Sequence, residues 1–206
     1  MSKTLIITAH VEHLHAVQLD YRQFDQIICA DGGLNIAHQL GLTPTHLIGD
    51  YDSTEKPDEE NVIILPKEKD MTDTEAAIDL SFSLGLNDIT ILGGLGGRFD
   101  HTMGNIGLLA KYIDNQLIMI DGQNAVFMLR PGTYVIPENP YTYMGIISYG
   151  DTAEKVNLTG VKYPLNDFQL NNQTSLGVSN EIIEESATIS FETGKLLVIL
   201  SKDIDK

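Results

Sequence analysis

The sequence predicts an α/β protein: a mostly parallel α/β sheet domain over residues 1–125, then an all-β sandwich domain over residues 126–206. Three observations predict it. Short apolar runs alternate with stretches of helical spacing up to about residue 125. Beyond that point the helical period disappears and apolar residues alternate with polar ones. Pro131, Pro137, Pro140, Gly145, Gly150, Gly160, Pro164 and Gly177 then recur at intervals that suit short strands.

In the first domain, residues 4–8, 26–30, 62–65, 88–92 and 116–120 read as buried strands, and His46-Leu47-Ile48-Gly49 is a further short one. Helical spacing covers 35–42, 72–86 and 100–113, with Ala76, Ala77, Leu80 and Leu84 on one face of the second helix. Strand–helix alternation implies helices packed on a parallel sheet, whose ligands bind at the carboxyl ends of the strands. In the second domain, residues 155–159 alternate through Val156 and Leu158, and residues 188–192 through Ile189 and Phe191. Thr193-Gly194 reads as a hairpin turn into a last strand over 196–200. A domain this small is expected to pack on the first domain or on a second subunit.

Composition removes several function classes. Thirteen basic against 29 acidic residues leave a net charge of −16. A nucleic-acid surface needs a basic stripe, and an anionic membrane attracts cations, so neither partner is expected. No apolar run approaches the length of a membrane span. Met1-Ser2-Lys3-Thr4 runs into Leu5-Ile6-Ile7 without a signal-cleavage pattern, and the single cysteine, Cys29, suits a reducing compartment. A cytoplasmic location is therefore expected. Cys29 reads as a buried strand residue, and His10, His13 and His15 read as surface histidines rather than metal ligands.

Four polar clusters follow strands. Asp31-Gly32-Gly33 permits a tight turn and close backbone approach to a ligand, or is an ordinary loop capped by Asp31. Gly49-Asp50-Tyr51-Asp52-Ser53 places two carboxylates two residues apart on an extended segment. Mg²⁺ bound to nucleotide phosphates would relieve their repulsion; a solvated turn is the alternative. In Lys67-Glu68-Lys69-Asp70-Met71-Thr72-Asp73-Thr74-Glu75, Thr72 and Glu75 form a capping box. That leaves Asp70, Asp73 and two lysines unexplained, and Lys67 or Lys69 suits a phosphate contact. Gly93-Gly94-Leu95-Gly96-Gly97-Arg98-Phe99-Asp100-His101 suits a phosphate-binding loop, the alternative being a flexible loop with Asp100 as helix cap. It is neither a Walker A loop nor a dinucleotide fingerprint.

The series of clusters, in this order, resembles the bacterial thiamine pyrophosphokinases (thiamin diphosphokinases). Later segments extend the resemblance over nearly the whole chain: Asp121-Gly122-Gln123-Asn124, Leu129-Arg130-Pro131-Gly132, Gly160-Val161-Lys162-Tyr163-Pro164-Leu165, Gly177-Val178-Ser179-Asn180-Glu181 and Gly194-Lys195-Leu196-Leu197-Val198-Ile199. The resemblance implies an α/β catalytic, ATP-binding domain and a β-sandwich thiamine-binding domain, working as a homodimer with active sites at the dimer interface. It implies that ATP and thiamine give AMP and thiamine diphosphate, with Mg²⁺. Carried onto this chain, Asp50 and Asp52 would hold Mg²⁺ with Asp70 or Asp73, and Asp31 is a further candidate for metal or nucleotide. Gly32, Gly33, Lys69, Thr72, Gly94, Gly96, Gly97, Arg98 and Asn124 would bind ATP. Arg98 would neutralise charge on the transferred group, and Asp100 or His101 would position the thiamine hydroxyl. Asp50, Asp52, Asp73, Arg98 and Asp100 form the catalytic set. Ser179 and Asn180 would hydrogen-bond the aminopyrimidine. Two other classes fit parts of the chain. Asp50-Tyr51-Asp52-Ser53-Thr54 matches the start of a haloacid-dehalogenase-type phosphatase, and a non-enzymatic thiamine- or nucleotide-binding module would form no AMP.

Overall fold

A computed structural model describes residues 2–50, 61–66 and 68–204. The chain divides into two units, Met1–Gly122 and Gln123–Lys206. The first carries β1 (Lys3–Ile7), β2 (Gln26–Ala30), α1 (Gly33–Gln39), β3 (His46–Gly49), β4 (Val62–Ile64), α2 (Asp73–Ser83), β5 (Asp88–Leu92), α3 (Phe99–Lys111) and β6 (Gln116–Ile120). Its strands run in the order β4-β3-β2-β1-β5-β6, every neighbouring pair parallel. Ile6 of β1 sits opposite Ile28 on one side and Ile91 on the other. Leu5, Ile6, Ile7, Ile28, Cys29, Ile89, Ile91 and Leu92 are all fully buried. Strands covered on both faces read as continuous apolar runs, which is why the sequence marks them. Successive strands spread outward from β1 to β4, then resume on the opposite side with β5. The crevice at that reversal is where ligands bind in such sheets.

Two local readings need correction, and one alternative falls away. The buried face of α2 is Ala76, Ala77, Ile78 and Ser81, while Leu84 is exposed and caps the helix end. The helix stops before the spacing does, so Leu84 falls outside it. Helix α1 begins at Gly33, two residues before the expected start. A Cβ there would lie 2.1 Å from the Ile7 carbonyl oxygen, so glycine lets α1 close onto β1. Arg98, not Asp100, stands at the N-cap of α3, and Asp100 is already inside the first turn.

The second unit is antiparallel throughout. It contains β7 (Asn124–Leu129), β8 (Gly132–Pro137), β9 (Tyr143–Ser148), β10 (Ala153–Thr159), β11 (Leu165–Leu170), β12 (Ser186–Phe191) and β13 (Leu196–Ser201). One sheet runs β7-β13-β9 and the other β11-β10-β12-β8. Along β12, Ala187, Ile189 and Phe191 are buried in strict alternation, as one inward face requires. The expected hairpin at Thr193-Gly194 does not form. Strands β12 and β13 belong to different sheets, and Gly194 (φ +83°) turns the chain across from one to the other. Its position leaves no room for a Cβ, which would meet the Thr152 carbonyl oxygen at 2.7 Å. No helix among the described residues is long and apolar enough to cross a membrane.

Candidate functional site

A cleft of about 540 Å³ opens in the first unit where β1, β2 and β5 end. Three loops and the start of α2 build it.

The glycine loop after β5 is the most constrained wall. Gly93, Gly94, Gly96 and Gly97 all have positive φ, between +61° and +98°. A Cβ on Gly93 would lie 2.2 Å from Thr8 Oγ1 and 2.3 Å from the His10 carbonyl oxygen. Side chains are thus excluded by both conformation and space. Thr8, buried at the end of β1, accepts a hydrogen bond from the Gly94 amide (3.0 Å) and donates toward the carbonyls of His10 (3.0 Å) and Leu92 (3.3 Å). From α3, buried Asn105 donates to the Gly94 carbonyl at 2.8 Å and Thr102 to that of Gly96 at 3.1 Å. Helix α3 is itself tied to α2 through Lys111–Glu75 (2.6 Å), so Glu75 faces Lys111 while Thr72 alone caps α2 by accepting from the Glu75 amide.

The second wall follows β2. Asp31 takes a left-handed conformation (φ 49°), and its amide donates to the Ile48 carbonyl at 2.8 Å. Gly49 packs beneath it.

The acidic end is organised around Lys69. Its ammonium lies 3.3 Å from Asp50 Oδ2 and 3.2 Å from Asp73 Oδ1, with the lysine side chain only 13% exposed. Burial pulls the ammonium pKa down, but Asp73 and Asp50 outweigh it and the net shift is upward. Lys69 is therefore held as a cation. At the cleft rim, Arg98 grips Asp100 through two parallel bonds of 2.6 and 3.1 Å. Arg98 is the chief reason that the Asp100 carboxyl falls below the usual carboxylate range, assisted by the His101 amide.

Of the expected site residues, Asp31, Lys69, Thr72 and Asp73 line the cleft from one side, and Gly94, Gly96, Gly97, Arg98 and His101 from the other. Asp50 joins them through Lys69. Gly32 and Gly33 lie against Ala9 and Ile7, Asp70 is exposed, and Asp100 faces Arg98. Asp52 and Lys67 lie outside the described residues. Asn124 opens β7 and pairs in register with Ser201, in the second unit. Ser179 is exposed there with φ +60°. Buried Asn180 accepts from the amides of Tyr163 (2.9 Å) and Glu181 (3.0 Å) and donates to the Tyr163 carbonyl (2.8 Å), so its side chain is a clamp for that loop.

The loop after β1 also reaches the cleft, which the sequence does not mark. Thr8 and His10 line the cleft, and His10 Nε2 lies 3.0 Å from Glu12 Oε2. His10 is exposed. The available signal was Thr8 at the carboxyl end of a strand, since neighbouring strand ends converge on one crevice.

Comparison with known proteins covers both units. The thiamin pyrophosphokinase catalytic-domain family matches residues 18–120, and the thiamin pyrophosphokinase vitamin B1 binding domain matches residues 133–196. The chain is 33% identical over 186 residues to thiamine pyrophosphokinase from Bacillus subtilis (strain 168), covering 85% of this chain and 87% of that one. The crystal structure of thiamine pyrophosphokinase from Bacillus subtilis superposes with a TM-score of 0.86 at 30% identity, over 99% of this chain and 100% of the other. That of a thiamin pyrophosphokinase family protein from Enterococcus faecalis superposes with 0.89 at 29% identity, over 98% and 100%.

Proposed function

The chain belongs to the thiamin pyrophosphokinase family, and on that premise we propose a direct, Mg²⁺-dependent transfer of pyrophosphate from ATP to the thiamine hydroxyl. The observation that carries the reading is the cleft at the sheet reversal, lined by the glycine loop and Arg98 and by Asp73, which Lys69 joins to Asp50. The hydroxyl oxygen of thiamine attacks the β-phosphorus of ATP. The bond from that phosphorus to the α,β-bridging oxygen breaks, and AMP leaves with the oxygen. Such chemistry depends chiefly on alignment and charge neutralisation.

Arg98 stands at the rim with its guanidinium fork on Asp100, and a phosphoryl group entering there would compete for the same fork. Gly96 and Gly97 give the loop a left-handed turn that can present amides to phosphate. Asp31 and Thr72 contribute further contacts to the nucleotide, as does Asn124. Asp100 or His101 positions the hydroxyl, and a nearby carboxylate accepts its proton. Ser179 and Asn180 serve the aminopyrimidine end.

Asp50 and Asp73 reach one cation from two sides, through single oxygens. That donor set fits Mg²⁺, which takes one or two carboxylates together with phosphate oxygens and water. Asp52 and Asp70 are proposed to complete the set. When bound, the ion neutralises phosphate charge. We further propose a cytoplasmic homodimer with active sites at the dimer interface.

The test is to incubate the protein with ATP and Mg²⁺, with and without thiamine. AMP that forms only with thiamine supports the reading. Phosphate release without thiamine would favour a phosphatase, and binding without turnover a carrier.

A further inference from the structure

We propose that Lys69 occupies the cation seat between Asp50 and Asp73 in the metal-free protein and must vacate it before a divalent cation enters. The inference rests on the proposed role of those two carboxylates as metal-holding groups. Asp50 follows β3 and Asp73 opens α2, so the fold itself brings two like charges together. Asp50 and Asp73 are only 18% and 24% exposed, and little solvent is left to screen them. Such a pair is unfavourable without a cation between its members. The Lys69 ammonium meets that need from within the chain, four residues before Asp73.

The same geometry makes it a competitor. Its contacts go to Asp50 Oδ2 and Asp73 Oδ1, the oxygens nearest the seat. Lysine is a compact charge on a flexible stem, suited to exchanging one anionic partner for another. Lys69 also lines the cleft. An ammonium displaced from the carboxylates thus remains where the nucleotide phosphates are proposed to lie. Entry of the metal would free a cation for phosphate, and the seat would stay neutralised until then.

Lys69→Gln keeps much of the length and polarity but removes the charge, and its effects on two ligands should have opposite signs. Mn²⁺ alone, titrated into the full-length protein without nucleotide and followed by the EPR signal of free Mn²⁺, should bind K69Q about tenfold more tightly than wild type. The apparent KM for metal–ATP should instead rise. Lys69→Arg should resemble wild type toward Mn²⁺. Where Gln disturbs the fold, Lys69→Met serves, and in either variant the Mn²⁺-induced rise in Tm should exceed that of wild type. Equal or weaker Mn²⁺ binding in the neutral variants, with Asp50→Asn still abolishing it, would overturn the competition while leaving the metal site standing. Mn²⁺ binding that is indifferent to Asp50→Asn would overturn both.

Discussion

Replacing Thr8 by Val keeps the shape of the side chain and removes one oxygen. That oxygen accepts from the Gly94 amide and donates to the His10 and Leu92 carbonyls. Leu92 retains the Thr8 amide at 3.1 Å, so the substitution orphans the Gly94 N–H and the His10 carbonyl. The residue is 6% exposed, leaving water little access. An orphaned buried group costs about 1–3 kcal/mol; Gly94 is half-buried and His10 exposed, which puts each at the low end, so a total of about 2–3 kcal/mol is expected. For a chain of this size that corresponds to a fall in Tm of about 4–12 °C. Released from its acceptor, the glycine loop loses its register against β1, and kcat/KM should fall about tenfold or more. Urea unfolding and steady-state kinetics on the same preparations measure both effects. Thr8→Ser retains the hydroxyl and should keep most of the activity, losing about 1 kcal/mol for its methyl. Wild-type stability and turnover in Thr8→Val would refute the view that this hydroxyl sets the loop.

Asp50→Asn should lower turnover about 100-fold or more while the protein stays folded, checked by AMP formation across a Mg²⁺ series. Arg98→Ala, at a side chain 73% exposed, should leave the unfolding free energy within about 0.5 kcal/mol of wild type yet depress kcat more than it weakens thiamine binding. Asn180→Ala removes a buried clamp on Tyr163 and should destabilise the protein by about 2–4 kcal/mol in urea unfolding. Asp100 should titrate below the ordinary carboxylate range in an NMR pH series and return toward it in Arg98→Ala. The sign follows from linkage: a depressed carboxyl gives its support above the unfolded value and loses it as pH falls through the folded one.

Legibility in the sequence followed locality. Strands β2 and β5 coincide with their expected bounds because strands buried along most of their length carry uninterrupted apolar runs, and β6 coincides through its own apolar run although only Leu117 and Met119 are buried. The glycine loop was equally visible, since four glycines in five residues mark a backbone that side chains cannot follow. Thr193-Gly194 shows the opposite case. Its turn chemistry is local, but which sheet receives β13 is decided by pairing with β7 and β9, far away in sequence. Asp100 was plausible as a cap by residue type, yet its carboxylate is held by Arg98 inside the first turn. The place of His10 and Thr8 at the cleft is not legible, because a single polar residue after a strand carries no pattern. Their role emerges only when β1 stands beside β5. The Lys69 seat is half visible in the sequence: the lysine and the acids stand close together there, but that one ammonium joins two of them shows only in the fold.

Attack at the β-phosphorus makes AMP the leaving group. ATP labelled with ¹⁸O in the α,β-bridge, turned over with thiamine and Mg²⁺ and followed by mass spectrometry, tests it most directly. Equimolar AMP and thiamine diphosphate are expected, with the label wholly in AMP. Label in ADP accompanied by thiamine monophosphate would instead mean transfer of the γ-phosphoryl group and would contradict it.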